Sequence, residues 1–117
     1  MLTVYIYQKC STCRDAIKWL DGHGIPYQSK PIRETPPSER ELRAALKLMD
    51  GNIRRLFNTS GMDYRAQGLA ERLPQMTEDE AIALLAGNGN LVKRPLVIGN
   101  GLALAGFKPE HWSKALL

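Results

Sequence analysis

The start of this chain, an apolar run followed at once by two cysteines, limits what it can fold into more than any other feature. Residues 2 to 7 are aliphatic, β-branched or aromatic, which predicts a buried strand. Cys10 and Cys13 come next, and a helical pattern begins at Ser11. The thiols therefore stand where a strand ends and a helix begins. Backbone N–H groups and the positive end of the helix dipole meet at such a junction, and both stabilise the thiolate, the form of cysteine that reacts.

The spacing of the two cysteines suits a reversible disulfide. If Cys10 caps the helix, Cys13 lies one turn inside it, and residues three apart on a helix are close enough for a disulfide. Cys10 is nearer to the helix end and to solvent, so we expect it to be the nucleophile and Cys13 to resolve its mixed disulfide. A helix dipole contributes only about 0.3–1 kcal/mol, so the thiolate also needs a nearby cation. The candidates are Lys9, Arg14 and Arg94.

Other uses of the cysteines fit the sequence less well. A structural zinc site takes four Cys or His ligands, and His23 and His111 lack the paired spacing of such sites. No metal site is therefore predicted. Two inert thiols would not need the strand-to-helix junction. In a chain with only two cysteines, a redox or catalytic pair is the favoured interpretation.

The first half of the chain predicts a β-α-β unit followed by helices. A second strand is expected over residues 25 to 30, and strand, helix and strand in this order imply parallel strands with a right-handed crossover. Capping boxes at Ser38 and Thr77 open two later helices. The stretch from 38 to 88 is mostly helical and contains no candidate strand.

The end of the chain predicts a hairpin and a terminal helix. Residues 94 to 98 and 102 to 105 are strand-like and flank the turn sequence Gly-Asn-Gly. Pro109 then opens a helix. The residues expected on its apolar face are Trp112, Ala115 and Leu116. The whole pattern predicts one α/β domain over residues 1 to 117.

The charge and composition of the chain limit the kinds of partner that it is expected to bind. The net charge is +4, but the basic residues are interleaved with acidic ones rather than gathered into a stripe, which disfavours direct nucleic-acid binding. No run approaches the roughly 18 apolar residues of a membrane span. The chain starts straight into a strand without a secretory signal, so the expected location is the cytoplasm. Small anionic substrates suit this charge balance best.

Four segments together resemble one known family. They are KCSTCR at 9–14, LFNTSG at 56–61, LVKRPL at 91–96 and Gly106-Phe107. Over essentially the whole chain they are similar to the arsenate reductase/Spx (ArsC) family. The resemblance implies a thioredoxin-like fold, β-α-β then β-β-α, with a helical insertion over about residues 36 to 90.

The resemblance also implies three types of function. Glutaredoxin-linked arsenate reductases use one nucleophilic cysteine, matching Cys10, and several arginines that bind the oxyanion. Here only Arg94 matches, because Asn58 stands where one arginine is expected and Phe107 or Lys108 where another is. Asparagine and lysine do not replace the bidentate contacts of a guanidinium. Arsenate reduction is therefore an alternative rather than the favoured function.

The other two types differ in what the thiols do. Segment 58–65, NTSGMDYR, resembles reductases that are thought to depend on glutathione. Spx-like regulators share the two-cysteine motif, sense redox state and bind the RNA polymerase α subunit. The favoured prediction is a thiol-disulfide reductase that uses Cys10 and Cys13 and is recycled by glutathione or glutaredoxin, without a bound cofactor. A redox-sensing regulator is the second alternative.

Arg94 and Pro95 are expected to complete the site. In the family, the matching proline follows a cis peptide bond and faces the catalytic cysteine. The resemblance therefore implies a cis bond between Arg94 and Pro95, and it implies that Arg94 holds an anionic substrate or the glutathione moiety beside Cys10. The residues predicted to bind the substrate are Lys9, Ser11, Thr12, Arg14, Asn58, Arg94 and Pro95.

Overall fold

A four-stranded sheet forms the middle layer of the computed structural model, which describes all 117 residues. Its strands are β1 (Leu2–Ile6), β2 (Tyr27–Pro31), β3 (Leu96–Gly99) and β4 (Leu102–Ala105). Their order across the sheet is β2-β1-β3-β4. β2 runs parallel to β1, whereas β3 is antiparallel to both β1 and β4. The predicted β-α-β unit and the predicted hairpin are both confirmed.

Six α-helices surround the sheet. They are α1 (Ser11–Gly22), α2 (Glu39–Leu48), α3 (Met62–Ala66), α4 (Leu69–Arg72), α5 (Glu78–Gly87) and α6 (Pro109–Leu116). Short 3-10 turns at Ile53–Leu56, Leu73–Gln75 and Gly89–Leu91 connect the helices between β2 and β3. No named strand lies between β2 and β3. No helix combines the length and the apolar character that a membrane span requires.

Side chains that alternate along the strands fill a separate apolar cluster on each side of the sheet. Leu2 and Val4 pack with Trp112 of α6 and with buried residues of α1. Tyr5, their neighbour on β1, instead joins the cluster that includes buried residues of α2 and α5. This alternation follows from the two-residue period of a strand. The cysteines come after the last residue of β1, so they lie at one end of the sheet.

Both predicted capping boxes are formed, and one is tied to the core. The Ser38 hydroxyl accepts the Glu41 N–H, and Glu41 Oε1 accepts the Ser38 N–H at 3.0 Å and the Tyr5 hydroxyl at 2.8 Å. Burial acts to raise the pKa of Glu41. The hydrogen bonds from Ser38 and Tyr5 outweigh that effect, so the pKa of Glu41 lies below its ordinary value. The ionised Glu41 thus joins the start of α2 to β1.

Several details of the sequence prediction were wrong. β1 ends at Ile6 rather than at residue 7, and β3 begins at Leu96 rather than at residue 94. β2 begins at Tyr27 rather than at residue 25, because the Ile25 N–H still bonds to the Leu20 carbonyl at 3.1 Å in the turn that ends α1. β2 also includes Pro31, which is tolerated because β2 is an edge strand. In α6, Ala115 is exposed. This helix packs through Trp112 and Leu116, which are four residues apart, and leaves Ala115 beside the contact.

Candidate active site

Cys10 caps α1 through its sulfur. β1 ends at Ile6, and a turn closes when the Cys10 N–H donates to the Tyr7 carbonyl at 3.0 Å. The Cys10 backbone is extended, and its Sγ accepts the N–H of Cys13 at 3.2 Å. The thiol thus takes the place that a Ser or Asp oxygen has in an ordinary cap. The predicted junction of strand, cysteine and helix is confirmed.

Cys13 is different from Cys10 in exposure and protonation. Cys10 is half-buried, whereas Cys13 is only 1% exposed, and both are free thiols. Burial, together with a hydrogen bond to Cys10, raises the pKa of Cys13 to about 12. The positive charge of Arg94 acts in the opposite direction but is outweighed. At neutral pH Cys13 is therefore a protonated thiol beneath the more accessible Cys10.

Arg94 reaches this region from the far end of the chain. The peptide bond between Arg94 and Pro95 is cis, as expected, and Pro95 is buried. The guanidinium carbon of Arg94 lies 4.9 Å from the centroid of the Tyr7 ring. Its Nη1 atom is buried and has no hydrogen-bond partner. An unpaired buried donor is costly, and an anion bound at this point would supply the missing acceptor.

Tyr7 brings a second arginine to the site, and sequence reasoning missed both residues. The guanidinium carbon of Arg33 lies 5.0 Å from the centroid of the Tyr7 ring, and Arg33 Nη1 donates to the Tyr7 hydroxyl at 2.9 Å. Tyr7 follows β1 and Arg33 follows β2. Because these strands are parallel, the residues after them meet at one edge of the sheet. The β-α-β unit predicted from the sequence already implied that the residues after its two parallel strands would lie close together.

The remaining predicted site residues have different positions. Lys9, Ser11 and Thr12 are exposed around Cys10. Arg14 is also exposed, but its Nη1 donates to the Gln8 carbonyl at 3.0 Å. Arg14 thus holds the turn that leads to Cys10. Its role in substrate binding stays a prediction.

Asn58 is held in a short antiparallel pairing with the segment that leads to Arg94. Its N–H donates to the Leu91 carbonyl at 2.7 Å, and the Lys93 N–H donates to the Leu56 carbonyl at 2.7 Å. In this register Asn58 lies opposite Leu91, three residues before Arg94 in the chain. Leu56 is the residue opposite Lys93. The pairing therefore fastens the helical segment to the stretch of chain that leads to Arg94.

Comparisons with known proteins agree with the fold. The sequence model of the ArsC family matches residues 5–115. The uncharacterized protein YusI of Bacillus subtilis (strain 168) is 44% identical over 113 residues, which are 97% of this chain and 96% of YusI. The global transcriptional regulator Spx of Enterococcus faecalis (strain ATCC 700802 / V583) is 28% identical over 111 residues, 95% of this chain and 83% of Spx.

A solved structure extends the agreement to three dimensions. The crystal structure of a possible arsenate reductase from Streptococcus mutans UA159 superposes with a TM-score of 0.88 at 40% identity. The superposition covers 97% of this chain and 98% of that one. The predicted thioredoxin-like fold is confirmed. Since the family match spans almost every residue, this chain belongs to the ArsC family.

Proposed function

We propose that this protein is a thiol-disulfide reductase in which Cys10 attacks the substrate and Cys13 resolves the intermediate. The observation that carries the proposal is the contrast between the two thiols. Cys10 is accessible and its sulfur accepts a backbone N–H, whereas Cys13 is buried, protonated and one helical turn away. Such a pair has one attacking thiol and one thiol held in reserve.

The proposed reaction has two exchange steps. The Cys10 thiolate attacks one sulfur of a substrate disulfide; the substrate S–S bond breaks, and the leaving thiolate takes a proton from water. Cys13 then loses its proton and attacks the Cys10 sulfur, forming the Cys10–Cys13 disulfide and releasing the second substrate thiol. Two electrons pass from the cysteine pair to the substrate. Two molecules of glutathione, or one reduced glutaredoxin, return those electrons to the pair.

The order of the steps follows from the environment of Cys13. Burial is the largest cause of its raised pKa, but the hydrogen bond and the charge interaction with Cys10 add to it. Once Cys10 is in a mixed disulfide, it carries no negative charge, and both of those contributions vanish. The nearby charge of Arg94 then favours the Cys13 thiolate. Formation of the first mixed disulfide thus prepares the second step.

Arg94 is the proposed anchor for the substrate. Its buried Nη1 lacks an acceptor, and a carboxylate of glutathione offers one. Arg33, which shares the Tyr7 ring with Arg94, supplies a second positive charge at the same edge. The substrate class that suits this pair is a disulfide bearing carboxylates.

The test is a coupled assay of disulfide reduction. With bis(2-hydroxyethyl) disulfide, glutathione, glutathione reductase and NADPH, the wild-type protein should accelerate NADPH oxidation, and Cys10→Ser should not. Cys13→Ser is the matched variant: with oxidised glutathione alone, it should form the Cys10 mixed disulfide and accumulate it, as a gain of one glutathione in the mass spectrum. A Cys10→Ser protein with the wild-type rate, or a Cys13→Ser protein that forms no mixed disulfide, would refute the proposal.

Arsenate reduction is the first alternative. The resemblance to the possible arsenate reductase of Streptococcus mutans UA159 and the unpaired Nη1 of Arg94 favour an oxyanion beside Cys10. Asn58, Phe107 and Lys108 weigh against it, because they stand where family arginines are expected. NADPH oxidation that requires arsenate, glutathione and glutaredoxin together, and is lost in Cys10→Ser, would establish this activity. Its absence at every arsenate concentration would exclude it.

A redox-sensing regulator is the second alternative. The resemblance to the global transcriptional regulator Spx covers 95% of this chain and favours it, and the same cysteine pair would be the sensor. The test is capture of the purified RNA polymerase α subunit by the reduced and by the oxidised protein. Binding that changes with redox state, and not in Cys10→Ser, supports this function, whereas no binding in either state excludes it.

A further inference from the structure

A second positively charged site lies away from the cysteines, in a groove between the helical segment and the start of α6. Its volume is about 440 Å³. Arg54 and Arg55 come from the Ile53–Leu56 turn, Lys93 from the segment before β3, and Lys108 and His111 from the beginning of α6. Phe57 is among the few apolar residues in the lining. We call this the basic groove.

The basic groove has no internal counter-charge. Four of its lining residues are arginines or lysines, and no Asp or Glu lines it. The ion pairs of the protein all involve Arg43 of α2, which does not line the groove. Like charges that share one concavity repel each other and attract anions. An anionic ligand would relieve that repulsion.

The backbone holds the positive charges of the groove in place. The Lys93 N–H donates to the Leu56 carbonyl at 2.7 Å, which fixes Lys93 next to the turn that carries the two arginines. Trp112 Nε1 donates to the Gly106 carbonyl at 3.1 Å, which fixes the first turn of α6 against the end of β4. Three segments that are distant in sequence thus present their cations to one space.

The groove is separate from the thiol site. Arg94 lies over Tyr7, whereas its neighbour Lys93 lies against Gly106, where an added Cβ would be 3.1 Å from Lys93 Cε. Neither cysteine lines the groove, and Arg94 does not line it either. Lys93 therefore lines the basic groove, whereas the adjacent Arg94 lies at the thiol site.

We propose that the basic groove binds a small anion carrying two or more phosphate groups. The groove is open to solvent, and its volume is within the range of small-ligand sites. Arginine guanidinium groups match phosphate oxygens in pairs, and lysines add compact charges. One phosphate would leave several of these cations unpaired; a polyphosphate pairs them.

The test measures binding of inorganic tripolyphosphate to the full chain by titration calorimetry. The double variant Lys93→Gln/Lys108→Gln removes two cations from the groove, and Lys18→Gln/Lys47→Gln removes two exposed cations on α1 and α2 as a control with the same net charge. Wild-type binding should be saturable. The groove variant should lose about 25-fold in affinity, roughly fivefold per cation. The control should stay within about twofold of the wild type, because screening weakens distant charges.

Further arms separate this proposal from the function of the thiols. Cys10→Ser and Arg94→Gln should bind tripolyphosphate as the wild type does, whatever their reductase activity. The proposal is overturned if binding is absent, if both double variants lose it equally, or if Arg94→Gln loses it while the groove variant keeps it. Tighter binding of hexaglutamate than of tripolyphosphate would also overturn it, and would assign the groove to an acidic protein segment.

Discussion

In the folded protein, iodoacetamide should alkylate Cys10 far faster than Cys13. Only the thiolate reacts, and the pKa of Cys13 is raised from its ordinary value of 9.0 to about 12. A shift of that size leaves Cys13 with about 1000-fold less thiolate than an ordinary thiol at neutral pH. Its 1% exposure slows the reagent further.

The assay uses Cys10→Ser and Cys13→Ser, each of which keeps a single thiol, with alkylation followed by mass spectrometry. Removing Cys10 also removes its contributions to the pKa of Cys13, but the largest contribution, burial, remains. We therefore expect Cys13 alone to react at least about 100-fold more slowly than Cys10 alone. In guanidinium chloride the two variants should react alike, which controls for intrinsic reactivity. Folded-state rates within about tenfold of each other would refute the assignment of Cys13 as the buried, protonated thiol.

Three further predictions concern other residues. Arg94→Met should lower reductase activity by about tenfold or more, because the substrate loses a charged hydrogen bond. It should change the free energy of unfolding by less than about 1 kcal/mol, because the buried Nη1 of Arg94 has no partner in the folded protein. Equal losses in activity and stability would contradict this prediction. Gly89→Ala should lower the free energy of unfolding in urea by about 3 kcal/mol, because the added Cβ would collide with the Ile32 carbonyl. Gly87→Ala is the control: the space around Gly87 is open, so this variant should be neutral or stabilising. Similar effects of the two substitutions would show that the backbone contact at Gly89 is not tight. Because the pKa of Glu41 is lowered in the folded protein, its carboxylate stabilises the fold at pH values above the ordinary pKa of 4.5. This stabilisation is lost as the pH falls from 4.5 through the lowered pKa of the folded state. Glu41→Gln should therefore flatten the acid side of the stability curve in denaturant titrations, and an unchanged slope would count against the bond network.

Local features of this protein were readable from its sequence. The capping boxes at Ser38 and Thr77, the Gly-Asn-Gly hairpin and the cap at Cys10 each depend on hydrogen bonds between residues that are only a few positions apart. Such bonds form wherever the right residues are correctly spaced, so the spacing predicts them. The parallel pairing of β1 and β2 also followed from local patterns, because a strand, a helix and a strand in sequence form parallel units with one strongly preferred hand.

The surroundings of the thiols were decided by the tertiary structure. Arg33 meets Tyr7 across 26 positions of sequence, and that contact exists only because β1 and β2 are paired in parallel. The missing partner of Arg94 Nη1 and the protonation of Cys13 depend on burial, which no local pattern measures. The basic groove likewise assembles from three distant segments that look like scattered surface charge in the sequence. Local hydrogen bonding placed the cysteines at the start of a helix, whereas long-range packing buried Cys13, kept it protonated and brought the charge of Arg94 close to it.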